Sequence, residues 1–211
     1  MSQGFKQGKE SLISLLKAGG YLRSRRVESA FRKIPREAFL PKGMERHAYS
    51  DQPLPIGSSQ TISAPHMVAI MTELLEPRKT DTVLEIGAGS GYQAAILSRL
   101  VRKVYTVEFF HELASLAKKN LLRSGIRNVE VIPGDGSRGY PEKAPYDKII
   151  VTCAIPMEVF DSLGKQLKNG GIIIAPVGEA YGVQTLTSGK NIRGKLEKKE
   201  HLPCVFVPLR T

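Results

Sequence analysis

The chain has 211 residues, 41% of them hydrophobic, which suits one domain with a small added segment and is enough to bury a core. No stretch approaches the roughly 18 to 20 continuous apolar residues of a membrane span, and the start, MSQGFKQGKE, has no apolar region of the secretory kind, so a cytoplasmic protein is expected. Lysine and arginine exceed aspartate and glutamate by 31 − 20 = 11, but the basic residues are spread from Lys6 to the Lys190–Lys199 stretch with no aromatic interleaving, so they read as a solvated surface and nucleic acid is not expected as a partner.

Leu12, Ile13, Leu15 and Leu16, then Val27, Ala30, Phe31 and Ile34, fall near helical spacing, so residues 10–40 read as short helices punctuated by Pro35 and Pro41. Residues 41–62, rich in Pro, Gly and Ser, read as an extended loop. A helix follows over 64–76, with Pro65 in its first turn. Strands and helices then alternate: strands at 81–86, 103–108, 128–133, 148–153 and 171–177, helices at about 91–100, 110–123 and 156–168. Continuous Val/Ile/Leu runs suit a sheet buried on both faces, and the alternation implies parallel βαβ units. After 178 the helices stop. GVQTLTS (182–188) and PCVFVPL (203–209) read as strands around an SGKN turn, an antiparallel end to the sheet. The fold expected is α/β, doubly wound and Rossmann-like, mostly parallel with antiparallel C-terminal strands and an N-terminal helical segment. Residues 1–62 would be helices and a substrate-side loop packed on a ligand-binding domain, 63–211, the two acting as one.

Cys153 and Cys204 form no C-x-x-C pair, and His47, His66, His111 and His201 are scattered, so no metal is expected.

The segment VLEIGAGSGYQAAIL runs from a strand straight into a helix, with glycines at 87, 89 and 91. A turn this tight needs residues that accept positive φ, and a ligand lying on the backbone leaves no room for a Cβ. The helix that follows aims free N–H groups at whatever sits there. The spacing is G-x-G-x-G, neither the dinucleotide fingerprint nor a triphosphate loop. Glu108 ends the next strand, 108 − 87 = 21 residues on, where an acid accepts from ribose hydroxyls. Asp135 and Gly136 follow the third strand, where a carboxylate could accept from an adenine amine. In this order on successive strands the features point to S-adenosylmethionine.

Beyond the turn, LPIGSSQTISAPHMVAIM (54–71), VYTVE (104–108), GDGSRGYPEKAPYDKIIVT (134–152), LKNGGIIIAPVG (167–178) and FVPL (206–209) resemble the protein-L-isoaspartate O-methyltransferase family, from about Ile34 to the end. QTISAP is the specific part; the glycine turn is shared by many methyltransferases. One departure is Phe109, where the family often has a basic residue. The resemblance implies methyl transfer from S-adenosylmethionine to the α-carboxylate of L-isoaspartyl residues in damaged proteins and peptides. The ester then closes to a succinimide, which hydrolyses in part to aspartyl. A carboxylate is ionised at neutral pH and needs no general base, only alignment.

The resemblance makes Ser63 the active-site residue, donating to the substrate carboxylate, with Thr61 as its helper. The spacing alone makes Ser63 an N-cap for the helix at Pro65. His66 reads equally as a cofactor contact or a half-exposed surface residue. Glu85 reads equally as a water-mediated contact to the cofactor's ammonium group or a buried strand-end acid. Tyr92 reads as packing, and Gln184 lies near substrate or cofactor by analogy. The peptide would lie extended between the 54–63 loop, with Ile56, and the terminal segment, with Val207, as a substrate of a monomer. An RNA or DNA methyltransferase is the rival, suggested by the charge; but the place of its N/D-P-P-Y/F motif reads VTCAIP, and Pro203–Cys204 lies in the terminal strand. A binding module that has lost activity is the second rival.

Overall fold

The structure, a computed structural model, describes residues 3–211. Its core is a seven-stranded sheet in the order β5-β4-β3-β6-β7-β8-β9. Strands β3 (Thr82–Ile86), β4 (Lys103–Glu108), β5 (Val129–Pro133), β6 (Tyr146–Val151) and β7 (Leu167–Val177) are mutually parallel. Strands β8 (Gln184–Ile192) and β9 (Lys195–Cys204) close the sheet antiparallel. The doubly wound sheet with an antiparallel end is the architecture expected.

Alternation along β3 sorts its side chains to two apolar layers. Val83 joins a cluster running from Leu12 through Met71 and Ile96 to Phe206; Leu84 and Ile86 join another around Tyr146, Phe160 and Ile173. The first layer is covered by α1 (Gln3–Ala18), α2 (Arg25–Lys33), α3 (Pro65–Leu75), α4 (Tyr92–Ser98) and α5 (His111–Arg123), the second by α6 (Met157–Gly164). Helix α2 shows why such short segments hold: the Ser24 hydroxyl accepts from Val27 N–H, Glu28 sits in the first turn, Arg32 and Lys33 in the last, and Val27, Ala30 and Phe31 turn inward.

Two expectations need correction. Residues 41–62 are not simply a loop: they contain a hairpin, β1 (Leu54–Gly57) and β2 (Gln60–Ile62), turning through Gly57, Ser58 and Ser59 at positive φ. Its Pro-Gly-Ser composition marks hairpin turns and loops alike. At the C-terminus, SGKN lies inside β8; the chain turns at Arg193 and Gly194, both at positive φ. β9 ends at Cys204, so of 203–209 only Pro203 and Cys204 lie in a strand. Instead a terminal strap crosses the ends of the sheet strands, with Ala154 N–H donating to Val207 and Leu209 N–H to Ala154. β9 is a charged edge strand exposed along most of its length, so it carries no apolar alternation to read.

Candidate functional site

The site lies at the C-terminal ends of β3, β4 and β6, where open α/β sheets bind ligands. The three turn glycines have φ of +95, +53 and +88° at 87, 89 and 91. A Cβ on Gly87 would stand 2.5 Å from the Thr152 hydroxyl oxygen, and one on Gly91 would press on Ala117 and Leu121 of α5. Gly87 thus lets β6 close against the turn, and Gly91 lets α4 pack on α5. Gly87 N–H donates to Val107 and Thr152 Oγ1 donates to Gly87 O, so both neighbouring strands fasten the turn.

Glu108 fixes it further. One carboxylate oxygen accepts from Gly89 N–H at 2.8 Å and the other from Phe110 N–H at 3.0 Å. The residue also lines the cavity beside the turn, together with Gly87, Gly89, Phe109, Phe110, Gly136 and the strap residues Val207 to Arg210. Asp135 is exposed; its carboxylate caps the short turn at Gly136 by accepting from Ser137 N–H and hydroxyl. Gly136, not Asp135, forms cavity wall. Glu85 is fully buried on the layer facing α3 to α5. Burial pushes its carboxyl up to about 8, and the Glu108 charge adds to the rise. The Thr106 hydroxyl beside it opposes the rise.

A second cavity opens beyond Thr61 and Ser63, walled by His66, Met67, Leu202 to Val207 and Thr152. A third, against the turn itself, is lined by Thr61, Ser63, Gly87, Gly89, Ser90, Tyr92 and Thr152. Thr61 and Thr152 border all three, and Ser63 borders the second and third. Ser63 does not cap α3. The N-cap is Ala64, without a side-chain bond, and the Ser63 hydroxyl takes no partner among the described residues. Its carbonyl accepts from Arg36 Nη1 at 2.9 Å.

His66 borders the second cavity, away from the glycine turn, and both its backbone N–H and its Nδ1 meet Asp51 Oδ1, at 2.9 and 3.0 Å. Ile56 turns into the core, where its Cδ1 would lie 3.2 Å from a Cβ on Gly89, because strand alternation puts Leu54 and Ile56 on the buried side of β1. Gln184 is fully buried and fully used: its amide donates to the Glu179 and Gly182 carbonyls and accepts from Phe206 N–H, tying the strap down. Val207 borders both main cavities.

Sequence reasoning missed Thr152, Phe110 and Arg36. Thr152 could have been found from its place just past a parallel strand, where site residues gather. Nothing local marks Arg36. The donor set suits a ribose-bearing, charged ligand: a Cβ-free turn, a carboxylate at its edge, and on the third cavity's wall a buried Ser90 hydroxyl with no partner among the described residues. Among the described residues no group of His, Cys, Asp and Glu is arranged to hold a metal, and no helix is long and apolar enough to cross a membrane.

Residues 6–211 match the family model described as protein-L-isoaspartate(D-aspartate) O-methyltransferase. Relatives named protein-L-isoaspartate O-methyltransferase include one from Methanopyrus kandleri, 49% identical over 97% of this chain and 92% of its own, and one from Staphylothermus marinus, 51% identical over 99% and 96%. A solved structure of that name superposes with a TM-score of 0.87 at 34% identity, covering 96% of this chain, which in turn spans 66% of that longer chain. A Plasmodium falciparum structure described as a putative enzyme of this kind in complex with S-adenosyl-L-homocysteine shares the fold, with a TM-score of 0.80 at 24% identity over 95% of this chain and 97% of its own.

Proposed function

We infer that this chain, which belongs to the protein-L-isoaspartate O-methyltransferase family, transfers a methyl group from S-adenosylmethionine to the α-carboxylate of L-isoaspartyl residues in damaged proteins and peptides. The cofactor supplies an electrophilic methyl on a sulfonium. The chain supplies position. Holding two reactants in line is worth roughly 7 to 11 kcal/mol of barrier, and an ionised acceptor asks for no base.

The observation that carries this reading is Ser63, with an unused hydroxyl where the second cavity meets the cavity of the glycine turn. Ser63, with Thr61 beside it, holds the acceptor carboxylate and sets its angle; neither acts as nucleophile. Gly87, Gly89, Gly91, Glu108 and Gly136 hold the cofactor, with Asp135 shaping the Gly136 turn. Glu85 acts from behind the turn as a neutral acid. Val207 and His66 wall the acceptor side, and Gln184 acts through the strap it holds. Residues 1–62 and 63–211 work as one unit, since one apolar cluster includes residues of both. The substrate segment lies extended along the second cavity, and the enzyme works as a cytoplasmic monomer.

The test is an incubation with labelled S-adenosylmethionine and matched isoaspartyl and aspartyl peptides. Label should enter the isoaspartyl peptide alone; equal or absent labelling of both overturns the assignment.

A further inference from the structure

Arg36 opens a short helical turn, Arg36–Phe39, far in sequence from the site, yet its side chain is fully buried behind it. Nη1 donates to the Ser63 carbonyl at 2.9 Å and Nη2 to the Gln52 carbonyl at 3.3 Å. The guanidinium lies over the Tyr92 ring, 5.2 Å from its centre, and Tyr92 borders the same cavity as Ser63. No carboxylate among the described residues forms an ion pair with it, and its Nε has no partner. The nearby acid, Asp51, makes its close contact with His66 and acts on the guanidinium only through space, offsetting its charge in part.

A buried guanidinium stays charged, and a buried charge without a counter-ion is costly. Here its direct acceptors among the described residues are two neutral carbonyls. One belongs to the residue whose hydroxyl borders the acceptor cavity; the other opens the segment leading to β1. An anion reaching the Ser63 hydroxyl would meet a positive potential through a poorly screening wall, where charge interactions act at longer range than in water.

We propose that Arg36 is a positioning residue of the acceptor site: its two-carbonyl grip sets the Ser63 peptide, and its unpaired charge draws the acceptor carboxylate to that side chain. The proposal rests on the reading that the cavity at Ser63 receives the carboxylate. The fork geometry explains why arginine, and not lysine, stands here: two carbonyls from separate segments are met by one planar group.

The experiment compares wild type, Arg36→Met, Arg36→Lys and Ser63→Ala. Steady-state kinetics with an isoaspartyl peptide are joined by calorimetric affinity for S-adenosylhomocysteine and for two peptides, the isoaspartyl peptide and its neutral isoasparaginyl amide. Arg36→Met should weaken the carboxylate peptide by roughly tenfold or more, while the neutral amide and S-adenosylhomocysteine bind within about threefold of wild type. Arg36→Lys, keeping the charge and losing the fork, should hold the peptide KM near wild type and lower kcat. Equal weakening of charged and neutral peptides by Arg36→Met, or unchanged affinity for both, overturns the proposal. If Arg36→Met fails to fold, Arg36→Lys decides: a peptide KM raised as much as in Ser63→Ala overturns it. Failure of the parent reading looks different, as wild-type enzyme that does not separate isoaspartyl from aspartyl peptide.

Discussion

The Thr152 hydroxyl donates to the Gly87 carbonyl across 2.6 Å, pinning the end of β6 to the first glycine of the turn. The same oxygen would stand 2.5 Å from a Cβ at Gly87. One contact therefore closes the turn and bars any side chain from it.

Gly87→Ala should abolish measurable S-adenosylhomocysteine binding, because the alanine needs a φ near +95° and collides with Thr152. Adding Thr152→Ala removes the collision but not the strain, so the double variant should recover part of the affinity by calorimetry. Full recovery would show that sterics alone matter; no recovery would show that the φ requirement dominates.

Glu108→Gln should weaken cofactor affinity by roughly ten- to a hundredfold. Both carboxylate oxygens accept backbone N–H groups, and glutamine offers only one acceptor, so its amide nitrogen must face either Gly89 N–H or Phe110 N–H. Cofactor titration checks this; an unchanged dissociation constant would remove Glu108 from the turn's architecture.

Ser63→Ala should lower methyl transfer to the isoaspartyl peptide by roughly ten- to a hundredfold, the worth of one hydrogen bond to a charged group, with cofactor affinity unchanged. Comparing kcat/KM with calorimetric cofactor affinity separates the two. Because the hydroxyl caps no helix, the melting temperature should stay close to wild type.

Glu85 gives the protein a pH-dependent stability. Its folded-state pKa, about 8, lies above the unfolded value of 4.5, so the folded state holds a proton that the unfolded chain gives up. Its contribution is full below about pH 4.5 and is lost as pH rises through about 8. Glu85→Gln, neutral throughout, should flatten that fall and melt higher than wild type above pH 8, by on the order of a few kcal/mol in stability. Melting curves from pH 5 to 9 test this, and parallel curves for the two proteins would rule it out.

The glycine turn and the alternation of parallel strands with helices are legible in the sequence alone, and through the family resemblance so is a transfer that needs no general base. These rest on local demands: positive φ at Gly87, Gly89 and Gly91, and apolar runs that only a doubly covered sheet can bury. Much less is legible where two readings share a composition. The hairpin at Leu54–Ile62 has the composition of a loop, and β9, charged and exposed at an edge, carries no strand pattern. Serine before Pro65 suits a helix cap, and only the fold decides that Ala64 takes that place. Tertiary structure also decided what stands behind the site. Arg36 and Ser63 are 27 positions apart, Gly87 and Thr152 are 65, and neither pair shares a local pattern. Their contacts follow from packing the N-terminal segment and the sheet around one apolar layer, a property of the whole chain and not of any window within it.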